Sequence, residues 1–110
     1  MRMIGNFEEL VLLAVDTFRE NGENYGAKIR GKLEYALGRK VIPYVVHTTL
    51  KRLEERGLVA STTFPKIDPS KKGRRPKMYL LTPEGVSQLR MLHKARRRIT
   101  RQQRNQKTAA

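Results

Sequence analysis

A mainly α-helical fold carrying one small β-hairpin is what this sequence predicts, and three observations lead there. Apolar residues recur at helical spacing over three short segments in the first half of the chain. Two stretches of strand composition, residues 58–64 and 77–81, flank a segment broken by prolines and a glycine. A final segment opens on Thr82-Pro83-Glu84-Gly85 and carries a thin apolar seam to at least Ile99. With 110 residues and 38% hydrophobic content there is room for one core and an appended helix, and burying further surface in a dimer would help so short a chain.

The first helix is expected to start at Asn6, with Glu9 completing a capping box. Phe7, Leu10, Val11, Ala14 and Phe18 line one side, and Leu12, Leu13 and Val15 widen the apolar coverage. That surplus fits either a partner or a central place within its own domain. Residues 21–24 form a turn in which Asn24 can cap the second helix, whose apolar positions are Tyr25, Ile29, Leu33, Ala36 and Leu37 before a stop at Gly38. Residues 26–33 mimic a phosphate-binding loop. Leu33 stands where a magnesium-holding Ser or Thr belongs, and the segment sits inside a helix instead of following a strand, so nucleotide binding is rejected.

The third helix, residues 43–57, has the best-marked ends: Pro43 suits the first helical position and Gly57 the left-handed position beyond the last. Val46, Thr49, Leu50 and Leu53 fall on one side; Tyr44, Thr48, Lys51 and Glu55 fall on the other, flanked by His47 and Arg52. The second side has side chains able to meet base edges and phosphates, though an ordinary solvated face reads the same way in isolation. Ile42 takes the N-cap, leaving first-turn N–H groups for water or a phosphate. Following the second helix after a short connection, this makes a helix-turn-helix. The hairpin tip, residues 65–76, is rich in cations, among them Lys71, Lys72, Arg74 and Arg75, with Lys77 entering the second strand. In the last helix Val86, Leu89, Leu92, Ala95 or Arg96, and Ile99 form a seam suited to pairing with another helix, and the segment from Arg101 onward should fray. The divisions expected are residues 1–82, a helix-turn-helix domain with its hairpin; 83–100, a helix suited to pairing; and 101–110, a basic flexible tail.

The charge is +14 and lies in two places. Residues 1–57 hold ten basic and eight acidic groups, whereas residues 66–77 hold six and one, and residues 86–110 eight and none. Two surfaces facing a polyanion would need this distribution. The basic segments lack the bulky apolar face of a membrane-surface helix, so nucleic acid is favoured over lipid. No apolar run approaches membrane-spanning length, no signal peptide is discernible at the N-terminus, and the absence of cysteine suits a reducing cytoplasm. His47 and His93 lie on different helices without carboxylates at ligand spacing, so neither catalysis nor a metal or other cofactor is expected.

Taken in order, Phe7-Glu8-Glu9-Leu10-Val11-Leu12-Leu13-Ala14, Tyr25-Gly26 with Ile29 and Leu33, Leu50-Lys51-Arg52-Leu53-Glu54-Glu55-Arg56-Gly57-Leu58-Val59, Gly73-Arg74-Arg75-Pro76-Lys77 with Tyr79, and Leu81-Thr82-Pro83-Glu84-Gly85 resemble the short members of the PadR family of transcriptional regulators. The resemblance spans roughly residues 6 to 92 and implies a winged helix-turn-helix with a long C-terminal dimerisation helix. It further implies a homodimeric regulator, a repressor in the leading reading, on a palindromic operator in double-stranded DNA. Tyr44, His47, Thr48, Lys51 and Arg52 would work in the recognition helix, and Lys71, Lys72, Arg74, Arg75 and Lys77 in the wing. Leu12, Leu13, Val86, Leu89, Leu92 and Ile99 would form the dimer interface. Ile42, Tyr44 and Val45 stand where the family usually has small polar residues, and His47 where it commonly has tyrosine, so no operator can be borrowed. Some short members bind flat aromatic molecules at the dimer centre; with no Trp and no aromatic residue after Tyr79, a small-molecule effector finds no support here. Two rival readings stay open: an RNA-binding or ribosome-associated protein using the arginine-rich segment 95–107, and a module whose basic tail meets an acidic protein.

Overall fold

The computed structural model describes residues 3–18, 25–63 and 77–109, with side chains to residue 102. Its order is α1 (Asn6–Thr17), α2 (Gly26–Leu37), α3 (Pro43–Glu55), β1 (Val59–Thr63), β2 (Lys77–Leu81) and α4 (Pro83–Ala109). The strands pair antiparallel, Val59 opposite Leu81 and Thr63 opposite Lys77. Tyr25 adds an isolated bridge to Met78, bringing the start of α2 to the hairpin. The body packs α1 against α2, α3, β2 and α4, and α3 against α2 and β1. Its core is built from Val11, Leu12, Val15, Ile29, Leu33, Leu50, Leu53 and Val59. The whole measures 69 × 30 × 24 Å because α4 is a rod that outruns the body.

Local chemistry sets the boundaries. The N-cap of α1 is Gly5, and Glu8 Oε1 accepts the Gly5 N–H at 3.1 Å, one residue earlier than the Asn6 and Glu9 pairing expected. Glu9 is thereby free for another task. Tyr25 takes the N-cap of α2, and Asn24, expected there, lies outside the described residues. Gly38 ends α2 with φ 68°, the left-handed conformation that a side chain disfavours. Between α2 and α3, Glu34 Oε2 accepts the Val41 N–H at 2.8 Å and pins the turn. The end of α3 is a Schellman closure: Gly57, at φ 75°, donates to the Glu54 carbonyl, and Leu58 donates to the Leu53 carbonyl at 2.9 Å. The Arg56 guanidinium meets Glu8 Oε2 at 3.1 Å and ties that end to the start of α1.

At the start of α4, Thr82 Oγ1 accepts the Gly85 N–H at 3.1 Å and donates to the Gly57 carbonyl at 2.6 Å. A Cβ on Gly85 would fall 2.1 Å from the Leu58 carbonyl oxygen, so only glycine lets the helix lie this close to the end of α3. Beyond Arg101, where fraying was expected, the helix continues to Ala109. The reason is composition: from Val86 to Ala109 there is neither Gly nor Pro, and Arg, Gln and Lys lose little rotamer freedom in a helix.

Two apolar expectations change. Leu12 is wholly buried within the chain's own core, so it is not available to a second copy; the surplus apolar surface of α1 belongs to a central helix. Leu89 and Leu92 are likewise buried, at 5% and 8% exposure, leaving Ile99, at 60%, as the uncovered end of the seam. Leu13 and Val86 are half-buried.

Candidate nucleic-acid interface

α3 divides its two sides as its periodicity demands. Val46, Thr49, Leu50 and Leu53 are buried; Tyr44, His47, Lys51 and Arg52 are exposed, Tyr44 at 74%. Thr48 is half-buried, and its hydroxyl donates to the Tyr44 carbonyl at 2.7 Å, so only its lone pairs face outward. Thr49 makes the same bond to Val45 at 2.8 Å, which lets a polar residue sit in the core. His47 stands at the rim of a recess of about 220 Å³ between α2, α3 and β2, lined also by Arg30, Pro43, Leu50 and Tyr79.

The leading end of α3 is apolar and uncovered. Ile42 is 65% exposed and Val45 40%, adjoining Tyr44, so three consecutive large side chains other than Pro43 project at the helix start. Exposed Arg39 and Lys40 precede them in the turn. The sequence marked Ile42 as an unusual cap and, with Tyr44 and Val45, as standing where the family usually has small polar residues, but gave neither Ile42 nor Val45 a part in binding. Helix α3 also points the positive end of its dipole here.

Of the cations expected in the wing, Lys77 is exposed at the start of β2, while Lys71, Lys72, Arg74 and Arg75 lie outside the described residues. The hairpin is held to α3 through Glu54, whose Oε2 accepts a hydrogen bond from the Ser61 hydroxyl. Beneath it, burial and then the Glu54 carboxylate push the Tyr79 phenol above its ordinary value of 10.0. Among the described residues no cluster of three or more His, Asp or Glu could hold a metal ion, and no helix is long and apolar enough to cross a membrane.

A helix-turn-helix whose second helix is exposed on one side, with a two-stranded hairpin following it and a long terminal helix, is a winged helix-turn-helix, a fold of DNA-binding regulators. The sequence matches the family described as transcriptional regulator PadR-like over residues 15–91. The chain belongs to that family, a class of DNA-binding transcriptional regulators and not a class of enzymes. No curated protein matches its sequence. Solved structures share the fold at low identity. A complex of RosR from H. salinarum, hsRosR-S4, is 22% identical with a TM-score of 0.70, covering 98% of this chain and 93% of that one. A PadR-like transcription factor from Bacteroides fragilis is 21% identical with a TM-score of 0.70, covering 90% and 87%. A PadR family regulator from Clostridium difficile R20291 is 24% identical with a TM-score of 0.66, covering 92% and 97%.

Proposed function

We propose that this chain is a sequence-specific repressor that binds a palindromic operator in double-stranded DNA as a homodimer, in the cytoplasm. The single observation that carries the reading is the exposed side of α3, where Tyr44, His47 and Lys51 face outward, with Ile42 and Val45 uncovered at its leading end, on a helix otherwise anchored in the core. Lys51 and His47 supply hydrogen bonds to base edges, Thr48 an acceptor, and Arg52 with the helix start holds phosphates. Ile42, Tyr44 and Val45 fit the C5-methyl groups of thymine, the one apolar feature of the major groove. The wing cations, Lys71, Lys72, Arg74, Arg75 and Lys77, hold backbone or minor groove.

Dimerisation uses the apolar side chains that the single chain leaves uncovered, Ile99 and Met91 of α4, with half-buried Leu13 and Val86 beside them. A two-fold pair sets half-sites about 34 Å apart, one turn of duplex. The test is selection of bound fragments from random duplex DNA with sedimentation of the complex. A palindrome bound by two copies is the expected result; a solitary chain that holds all duplexes alike ends the reading. With about six phosphates neutralised, log affinity falls against log salt with a slope near −5.

A further inference from the structure

Contacts by α3 and the wing leave most of the charge of α4 without a role. Residues 86–110 hold eight of the 24 basic residues and no acidic one, and the described cations divide by the side of the helix they occupy. At about 100° per residue, Leu89, Leu92 and Arg96 share the side packed on the body. There Leu89 and Leu92 are buried, and Arg96 Nη2 reaches the buried Glu9 carboxylate. Met91, Ala95 and Ile99 make a second, exposed apolar side. Arg90, Lys94, Arg97, Arg98 and Arg101 occupy a third, within an arc of roughly 100°. All five are exposed, and none forms an ion pair with another described residue.

This separation is informative. The apolar side adjoins the cations only where Met91 meets Arg98, so a second copy can cover it and leave most of them open, and the one arginine turned toward the body is the one with a carboxylate waiting. Five like charges along about 17 Å of one rigid side repel one another, and an extended polyanion relieves that repulsion along the whole length. A duplex, with one phosphate charge per about 1.7 Å of its axis, can neutralise all five. Single-stranded nucleic acid is bound by stacking bases on aromatic rings, and α4 has none, the last aromatic residue being Tyr79. At that spacing the stripe is centred on the side of α4 turned away from Leu89, Leu92 and Arg96, and so away from the body.

We propose that Arg90, Lys94, Arg97, Arg98 and Arg101 form a second, sequence-indifferent surface for the backbone of duplex DNA, so that a copy seated on its operator through α3 holds another stretch of duplex through α4. This rests on the operator reading above, and the experiment separates the two. Full-length protein is loaded on an immobilised operator duplex found by selection, then offered an unrelated labelled duplex of about 40 base pairs. The same is done with Arg97→Gln/Arg98→Gln/Arg101→Gln, which keeps helix-forming side chains. The expected result is capture of the second duplex by the wild-type complex, falling at least about tenfold in the triple variant as its phosphate contacts go, with operator affinity changed by less than about twofold. Wild-type complex that captures no second duplex, or a variant that captures it equally, overturns the proposal while leaving operator binding intact. Displacement of the captured duplex by far lower concentrations of structured RNA overturns the choice of partner. Failure to select any preferred operator overturns the earlier reading instead. In that event a triple variant that binds random duplex as tightly as wild type sinks the α4 surface as well.

Discussion

The carboxylate of Glu9, buried in α1, accepts a hydrogen bond from Arg96 Nη2 of α4 at 2.5 Å, across 87 residues of chain. His93 Nε2 lies 4.0 Å from its other oxygen. Both contacts tie α4 to α1 just beyond Leu92, the last buried residue of α4 among the described side chains. A carboxylate 8% exposed has little water to turn to, whereas the arginine is 60% exposed and stays solvated.

Arg96→Ala is therefore expected to destabilise the fold by about 1–2 kcal/mol, less than loss of a fully buried ion-pair partner because water reaches the gap. Adding Glu9→Leu to that variant should recover much of the loss by removing the uncompensated charge. Urea unfolding of the two variants measures both effects; a double variant less stable than Arg96→Ala contradicts this account.

The approach of Gly85 to Leu58 leaves no room for a methyl group. Gly85→Ala should destabilise by about 1–3 kcal/mol, despite alanine's better helix propensity, because backbone must shift to admit it. Thermal melting checks this, with Ser87→Ala on the exposed side of the same turn as the comparison expected to change little.

Thymine contact at the head of α3 makes its own forecast. Replacing deoxythymidine by deoxyuridine within a selected operator removes only the C5-methyl groups, each worth about 0.8 kcal/mol if buried, or roughly fourfold in affinity. Ile42→Ala and Val45→Ala should reduce sensitivity to that replacement. Equal binding of both duplexes by wild type would exclude apolar readout.

Lys51 and Lys77 should behave differently. Lys51→Ala, on the exposed side of α3, is expected to relax base preference in a selection experiment, and Lys77→Ala to weaken all duplexes alike while lowering the salt slope by about 1. Identical behaviour would refute the division between base reading and backbone holding.

Tyr79 gives the stability a pH dependence of known sign. Its folded phenol keeps its proton above the ordinary value of 10.0. Below that value folded and unfolded chains are both protonated; as pH rises past it the unfolded chain ionises first, and stability falls until the folded phenol also ionises. Tyr79→Phe should show a shallower decline than wild type as pH rises past 10 in urea titrations.

Much of this protein was legible in its residues because local effects are decided locally. Pro43, Gly57, Thr82 and the spacing of Val46, Leu50 and Leu53 each act over one or two turns, so α3, its ends and the start of α4 follow from the chain alone, as does the order of helices and hairpin that the family match supports. Tertiary packing decided the rest. Nothing near Glu9 in the sequence says that its partner is Arg96 and not the N-terminal backbone; the hint was one charge on each of two apolar sides, and only the docking of α4 on α1 brings them together. Leu12 and Ile99 were both expected at the dimer interface, yet one is fully buried and the other 60% exposed. Periodicity tells which way a side chain faces along its own helix, but what covers that side depends on where distant segments pack.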